Sequence, residues 1–192
     1  MWREAAQQSD FDPGRRRPDG VVVDPESKVP APVEEGDPSQ GLVSLRTPVG
    51  EKAARKLVAD FFAAMTSENL PELFSLFTSD AVYRSARGGT PMPLSEACRA
   101  RVQRFDYQAL RHAHVFDEDR VELYRFGDFD APWQRPLPRP AGMRPFDVAV
   151  RVPLAMTHSS AGRLFGDELV FVVRRDSDAL RIAEVVEDFL DW

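Results

Sequence analysis

Apolar residues recur at helical spacing between residues 47 and 77. The first stripe predicts an amphipathic helix, starting at Thr47 and Pro48, a typical N-cap and first helical position. It consists of Ala54, Leu57, Val58, Phe61, Phe62 and Met65. Asn69, with Glu72 three residues later, resembles a capping box and predicts the start of a second helix. The stripe of that second helix is Leu70, Leu73, Phe74 and Phe77.

Farther along the chain, helical spacing gives way to alternation. A third helix is predicted first, with the face Leu94, Cys98, Val102 and Phe105. Alternation over residues 120–126 and 147–156 then predicts strands. Residues 168–173 are apolar on both faces, as expected of a central covered strand, and residues 180–190 form the last strand. Helices followed by strands indicate an α+β fold, with three helices packed on one side of a curved antiparallel sheet.

Two segments differ in composition from the rest. Residues 1–46 are rich in proline and charge and poor in aromatics, which predicts a disordered or extended tail ahead of a domain spanning 47–192. Residues 130–146 form a proline-rich insert that cannot join a central sheet. Three roles are open for the insert. It is a rim loop packed by Trp133, a stiff lid over a cavity with Trp133 as plug, or a segment recognised by a proline-binding domain.

The net charge, the lengths of the apolar stretches and the cysteine count argue against several classes of protein. The 192-residue chain carries a net charge of −6, which argues against a nucleic-acid binder. No stretch reaches the roughly 20 apolar residues of a membrane span. The first residues carry no apolar signal core, so we expect a cytoplasmic protein, with an exported form whose leader has been removed left open. Cys98 is the only cysteine, which excludes an intrachain disulfide and fits a reducing compartment.

The stretch "FFAAMTSENLPELFSLFTSDAVY" (61–83) resembles the opening of NTF2-like superfamily domains: a helix, a small polar break, a second helix and an F-x-x-D-A entry into a strand. "LRIAEVVEDF" (180–189) resembles their last strand. The superfamily includes nuclear transport factor 2, the ketosteroid isomerases and the SnoaL-type cyclases. The resemblance covers about 48–192 and implies a cone-shaped half-barrel whose helices close over a mostly apolar cavity. It also implies a homodimer formed through the apolar outer face of residues 168–173.

The same resemblance locates the catalytic positions of the isomerases. It places Phe61 where they have a tyrosine, Ser85 where they have the aspartate base and Val170 where they have the second acid. Phenylalanine and valine donate no hydrogen bond, and serine is too weak a base unaided. We therefore expect a non-catalytic domain, without a cofactor, that binds a small apolar molecule or a protein partner. An aspartate or glutamate buried beside a tyrosine in that interior would contradict the expected loss of acid–base groups.

The predicted cavity residues share an apolar or small polar side chain on a core-facing position. They are Phe61, Met65, Phe74, Tyr83, Ser85, Cys98, Val102, Trp133 and Val170.

The rival function is a SnoaL-like cyclase or dehydratase with a different catalytic set, drawn from Tyr83, His112, His114 or Asp188. His112 and His114 would share one face of a strand and are the weak candidates for metal ligands, the alternative being a solvent-facing pair. Glu184 and Asp188 share a face of the last strand, pointing either inward or to solvent.

Overall fold

The computed structural model describes residues 33–37, 42–46, 49–130, 137–159 and 162–188. The helices are α1 (Glu51–Thr66), α2 (Leu70–Ser75) and α3 (Leu94–Arg104), with 3₁₀ turns at Tyr107–Leu110, Glu118–Arg120 and Phe126–Asp130. The strands are β1 (Val33–Asp37), β2 (Leu42–Arg46), β3 (Phe77–Ser85), β4 (Met92–Pro93), β5 (Glu122–Arg125), β6 (Val148–Pro153), β7 (His158–Ser159), β8 (Gly162–Arg163), β9 (Glu168–Asp176) and β10 (Ala179–Glu187). No helix in these ranges combines the length and apolarity needed to cross a bilayer.

Six of the described strands form the main sheet, in the order β4-β3-β10-β9-β6-β5. The predicted α+β class is confirmed, but the sheet is mixed because β10 runs parallel to β3. Alternation along a strand carries no information on the direction of its neighbour, so the sequence could not reveal this pairing. In β10 the register shifts between Ile182 and Glu184, which changes the faces toward which the following residues point.

The helices cover one face of this sheet, called here the helix face. Its core contains the predicted α1 stripe together with alternate residues of the central strands, such as Val150, Phe171 and Val185. Phe61 and Phe171 meet with ring centroids 5.0 Å apart, and Phe62 and Phe165 at 5.5 Å, both edge to face. Burial of these aromatic rings is a main apolar contribution to the stability of the domain.

The orientation of α3 differs from its predicted face. Its buried residues are Leu94, Ala97, Cys98 and Arg101, whereas Val102 and Phe105 are only partly buried. The helix is therefore rotated toward the i, i+3, i+4, i+7 stripe, and a charged residue rather than an apolar one completes it. Met156, the last residue of the strand predicted over 147–156, is also exposed, because β6 ends at Pro153.

The turn between α1 and α2 is hydrogen-bonded to the 3₁₀ turn at Tyr107–Leu110. Asn69 accepts a hydrogen bond from the Glu72 amide at 3.3 Å, which confirms it as the N-cap of α2. The reciprocal bond of a capping box is replaced, because the Asn69 side-chain amide donates to the Glu72 carboxylate at 2.7 Å and the Asn69 backbone amide donates to the Ala64 carbonyl. Glu68 just before it has a φ of 55°, a conformation that is unfavourable for most residues. Its carboxylate accepts hydrogen bonds from the Tyr107 amide and the Gln108 side chain, both at 3.0 Å. The turn therefore fixes the start of the Tyr107–Leu110 segment.

The other side of the sheet, the outer face, is covered by the described part of the insert. We call residues 137–147 the strap. Met143 packs with Ala149, Val170, Val172 and Ala183, and the residues packed around them are Tyr124, Phe126, Phe129, Leu137 and Val186. The strap thus lies on the opposite side of the sheet from the helices. The predicted role as a lid over a cavity on the helix side is therefore wrong for this part of the insert. Trp133 lies outside the described residues.

Because the strap covers the outer face, the surface that was expected to form a homodimer is not exposed. Val170 and Val172 are buried within the chain itself, so they are not available to a second copy while the strap is in place. The hydrophobic pattern reveals that a face is covered, but it does not reveal which part of the molecule covers it.

The start of the domain differs from the prediction as well. The helix begins at Glu51 after Gly50, not at Pro48. Thr47 and Pro48 lie outside the described residues. Within the predicted tail, β1 and β2 form an antiparallel pair, and the remaining residues of 1–46 lie outside the described ranges.

Truncation of the central aromatic contact should destabilise the domain strongly. For Phe171→Ala we expect a loss of about 3–5 kcal/mol in the free energy of unfolding, since a fully buried ring is replaced by a cavity. Urea unfolding followed by circular dichroism measures it. Phe146→Ala, at an exposed phenylalanine, is the control and should change stability by about 0.5 kcal/mol or less. Equal effects of the two variants would contradict the assigned core.

Candidate functional site

A buried ion pair lies under the helices. Arg101 of α3 donates from both terminal nitrogens to Glu187 at the end of β10, at 2.5 Å to Oε2 and 3.1 Å to Oε1. The two side chains are 5% and 0% exposed. A bidentate geometry satisfies the charges of both partners, which is what allows them to remain buried.

Neighbouring groups complete the hydrogen bonding of this pair. The Tyr107 hydroxyl accepts from Arg101 Nε at 2.9 Å and donates to the Leu164 carbonyl at 2.7 Å. Arg101 also donates to that carbonyl at 2.7 Å. The Gly166 amide donates to Glu187 Oε1 at 2.7 Å. The pair therefore ties α3, β10, the Tyr107 turn and the loop before β9 together.

Gly166 is required by this close approach. A Cβ at this position would lie 2.1 Å from Asp188 Oδ1 and 3.0 Å from the Glu187 side chain. Asp188 itself is partly exposed and accepts a hydrogen bond from the Asp167 amide at 2.8 Å. Its role in the structure is thus to hold the loop beside the ion pair.

Tyr83 and Cys98 lie against the same groups. Burial is the main cause that raises the pKa of Tyr83, and the nearby negative charge of Glu187 raises it further. Burial likewise raises the pKa of Cys98 to about 12 and that of Tyr107 to about 12, in each case partly offset by Arg101. We call Tyr83, Arg101, Tyr107 and Glu187 the interior polar cluster. At neutral pH its tyrosines and the neighbouring thiol are protonated.

The cluster corrects the expectation that the interior lacks ionisable groups, because a glutamate is buried there beside a tyrosine. Its chemistry is nevertheless restricted. Each carboxylate oxygen of Glu187 already accepts a hydrogen bond from Arg101, and a general base needs a lone pair that faces the substrate. The arrangement is that of a neutralised structural pair.

The predicted cavity residues lie on both faces of the sheet. Phe61, Met65, Tyr83 and Cys98 are buried in the helix-face core, and Phe74 and Val102 pack against it. Ser85 is partly exposed at the end of β3, in register with Glu187. Val170 is a correction: it belongs to the outer-face cluster, because alternation along β9 directs residues 169, 171 and 173 toward the helices and residue 170 away from them.

Two residues of the interior polar cluster escaped sequence reasoning. Arg101 lies seven residues after Leu94, the position that completes the buried stripe of α3, but a charged residue is rarely assigned to a core. Glu187 reaches the helix face only after the register shift in β10. Glu184, expected on an exposed face or pointing inward, is fully buried on the outer face, where Arg84 Nε donates to it at 2.5 Å.

A groove opens between α1 and the segment 110–118. We call it the α1 groove; its volume is about 750 Å³. The floor is apolar and includes Phe62, Leu110, Val115 and Phe116, while Arg111, His114, Asp117 and Glu118 contribute polar groups at the rim. The remaining lining residues are Ala59, Ala63, Thr66, Ala113 and Ala155.

The histidine pair does not form the predicted strand face. Residues 111–113 are in a turn and His112 and His114 are exposed. Across the described ranges no group of three or more His, Cys, Asp or Glu side chains is placed to hold a metal ion. His114, but not His112, lines the α1 groove.

Comparisons with known proteins give structural similarity alone. No protein-family model matches the sequence, and no curated protein matches it. An NTF2-like protein with a cystatin-like fold from Novosphingobium aromaticivorans is similar at 18% identity over 73% of this chain and 81% of its own, with a TM-score of 0.47.

Two further structures show the same kind of similarity. An NTF2-like protein of unknown function from Pseudomonas putida has 12% identity, coverage of 71% and 83%, and a TM-score of 0.41. A protein with a ketosteroid isomerase-like fold from Catenulispora acidiphila, in complex with trimethylamine, has 17% identity, coverage of 70% and 85%, and a TM-score of 0.36.

Separation of the buried ion pair should cost far more than removal of an exposed one. Arg101→Met leaves a buried carboxylate without its partner, and we expect a loss of about 3–5 kcal/mol in the free energy of unfolding. The double variant Arg101→Met/Glu187→Leu should recover part of that loss. Lys56→Ala, which breaks the exposed pair with Asp60, should cost about 0.5 kcal/mol. Additive effects of the two interior substitutions in a double-mutant cycle would contradict the pairing.

The thiol of Cys98 should be inert in the folded protein. At pH 8 its raised pKa, about 12, keeps it protonated, and burial prevents access. We expect iodoacetamide to label it only after unfolding in urea, as followed by mass spectrometry. Because the folded pKa exceeds the ordinary value of 9, the thiol favours folding below pH 9 and this contribution is lost as the pH rises toward 12. Equally fast labelling of folded and unfolded protein would refute this assignment.

Proposed function

We propose that this domain is a non-catalytic binding protein and that it holds a small apolar or amphipathic molecule in the α1 groove. The observation that carries the proposal is the groove itself. Its volume of about 750 Å³ lies within the range of roughly 300–1,000 Å³ typical of small-molecule sites. An apolar floor with polar groups at the rim suits a ligand with an apolar body and a polar end.

The packing of the interior favours the α1 groove, rather than the space beneath the helices, as the ligand-binding site. Phe61, Phe62 and Phe171 fill that space in mutual ring contact, and the interior polar cluster occupies the region next to α3. A ligand entering there would have to displace packed rings or separate a buried ion pair, and both are costly. The groove can be occupied without either change.

The ion pair of the buried Glu187 with Arg101 supports a function without catalysis. A proton-transfer enzyme needs an acid or base poised toward its substrate, and Glu187 is committed to Arg101 and the Gly166 amide. The rival function, a cyclase or dehydratase, would depend instead on His114, which lines the groove. His114→Gln separates the two, because glutamine keeps a polar group at the rim: a binding protein should keep most of its ligand affinity, whereas an enzyme that uses the imidazole should lose turnover.

A protein partner is the other occupant expected from the sequence. Stable protein interfaces bury about 800 Å² on each partner, so a protein would have to extend well beyond the groove. Native mass spectrometry of freshly purified protein distinguishes these cases by the mass of what is retained, and it also reports the monomer or dimer mass.

Filling the groove should weaken binding. Ala63 is exposed and lines the groove, so Ala63→Trp should weaken binding of the fluorescent probe 1-anilinonaphthalene-8-sulfonate by at least about tenfold, equivalent to ~1.4 kcal/mol. Lys52→Trp places the same side chain at an exposed position of α1 outside the groove and should leave the affinity unchanged. Equal probe affinity of both variants and the natural chain would refute the groove as the site.

A further inference from the structure

The outer face of the sheet has the features of a receptor for a peptide. Three adjacent strands, β6, β9 and β10, contribute Ala149, Val170, Val172 and Ala183 to one apolar surface. Met143 of the strap inserts there and is 7% exposed. This contact supplies the apolar anchor that peptide recognition usually requires.

Two charged side chains hold the backbone of the strap at one residue. The Gly142 amide donates to Glu184 Oε2 at 2.8 Å, and the Gly142 carbonyl accepts from Arg174 Nη2 at 2.9 Å. Glu184 is held by Arg84, and Arg174 is held by Asp147 at 2.8 Å. Both ends of the clamp are therefore oriented by ion pairs that do not involve Gly142, and the partner of Arg174, Asp147, is the last residue of the strap, directly before β6.

The clamp selects glycine at this position. A Cβ on residue 142 would lie 2.7 Å from Glu184 Oε2, closer than a carbon and an oxygen can approach. Because the Glu184 carboxylate also accepts from the Gly142 amide and from Arg84, a shift away from a Cβ would weaken these hydrogen bonds. Apolar surface, backbone clamp and steric selection thus act on adjacent residues, Gly142 and Met143.

We propose that the outer face is a recognition site for a glycine–methionine segment, filled in this chain by Gly142 and Met143 of its own strap, and that it accepts the same segment from a second copy of the chain. The contacts of Gly142 and Met143 require no covalent link between strap and sheet. The intramolecular strap has the advantage of a high effective concentration, so a second copy binds only when the strap within the chain is displaced. The site lies on the opposite side of the sheet from the α1 groove and does not depend on the function proposed for it.

A complementation experiment tests the proposal. Gly142→Ala leaves the receptor intact but makes the strap unsuitable, whereas Glu184→Ala breaks the receptor but leaves the strap suitable. Neither variant should dimerise alone, and an equimolar mixture should form a heterodimer in which the second variant donates its strap to the first. Native mass spectrometry resolves the species, and hydrogen exchange should be at least about tenfold faster around residue 142 in each single variant than in the natural chain.

A peptide provides the matched control. A labelled peptide of residues 137–146 should bind the Gly142→Ala chain, and the same peptide with alanine at residue 142 should bind at least about tenfold more weakly. Equal binding of both peptides, binding of neither, or a mixture that remains monomeric would overturn the proposal. If Gly142→Ala does not fold, as judged by circular dichroism, Met143→Ser removes the anchor from the strap and serves as the acceptor chain with the same expected outcomes.

Discussion

Burial of the Arg101–Glu187 pair is the constraint on which the rest of the domain depends. Two opposite charges can remain in an interior only when each is fully hydrogen-bonded, and this requirement fixes the position of every element that supplies a partner. α3 brings the guanidinium, β10 the carboxylate, the Tyr107 turn a hydroxyl and the loop before β9 a carbonyl and an amide. Apolar packing by the phenylalanines of α1 supplies stability, while the ion pair determines how α3 lies on the sheet.

Two glutamates of β10 give the sheet two differently organised faces. Glu187 points to the helices and Glu184 to the strap, and each buried carboxylate is paired with an arginine, Arg101 being buried and Arg84 partly exposed. The register shift between Ile182 and Glu184 allows Ile182, Val185 and Glu187 to reach the same face. A regular strand would direct Ile182 and Glu184 to one side, which would place a carboxylate among the apolar side chains of the helix face.

This organisation leaves the two proposed binding sites at the periphery of the domain. The space beneath the helices is occupied by aromatic rings and a neutralised ion pair, whereas the α1 groove and the strap site lie at its margins, on opposite sides of the sheet. Both combine an apolar surface with a few polar groups, which is the composition on which the two proposals depend. The groove has side chains of both charges at its rim, whereas the strap site contacts Gly142 through both its amide and its carbonyl.

The sequence by itself determined the presence of the three helices, the Asn69 cap, the central strand covered on both faces and the α+β class, because each is encoded in the spacing of nearby residues. The tertiary structure alone decided that β3 and β10 run parallel, that Val170 faces the strap, and that Arg101 meets Glu187 across 86 residues of chain. Such contacts depend on strand direction, on one register shift and on the rotation of a helix about its axis. None of these leaves a periodic signal, because each arises only when distant segments pack together.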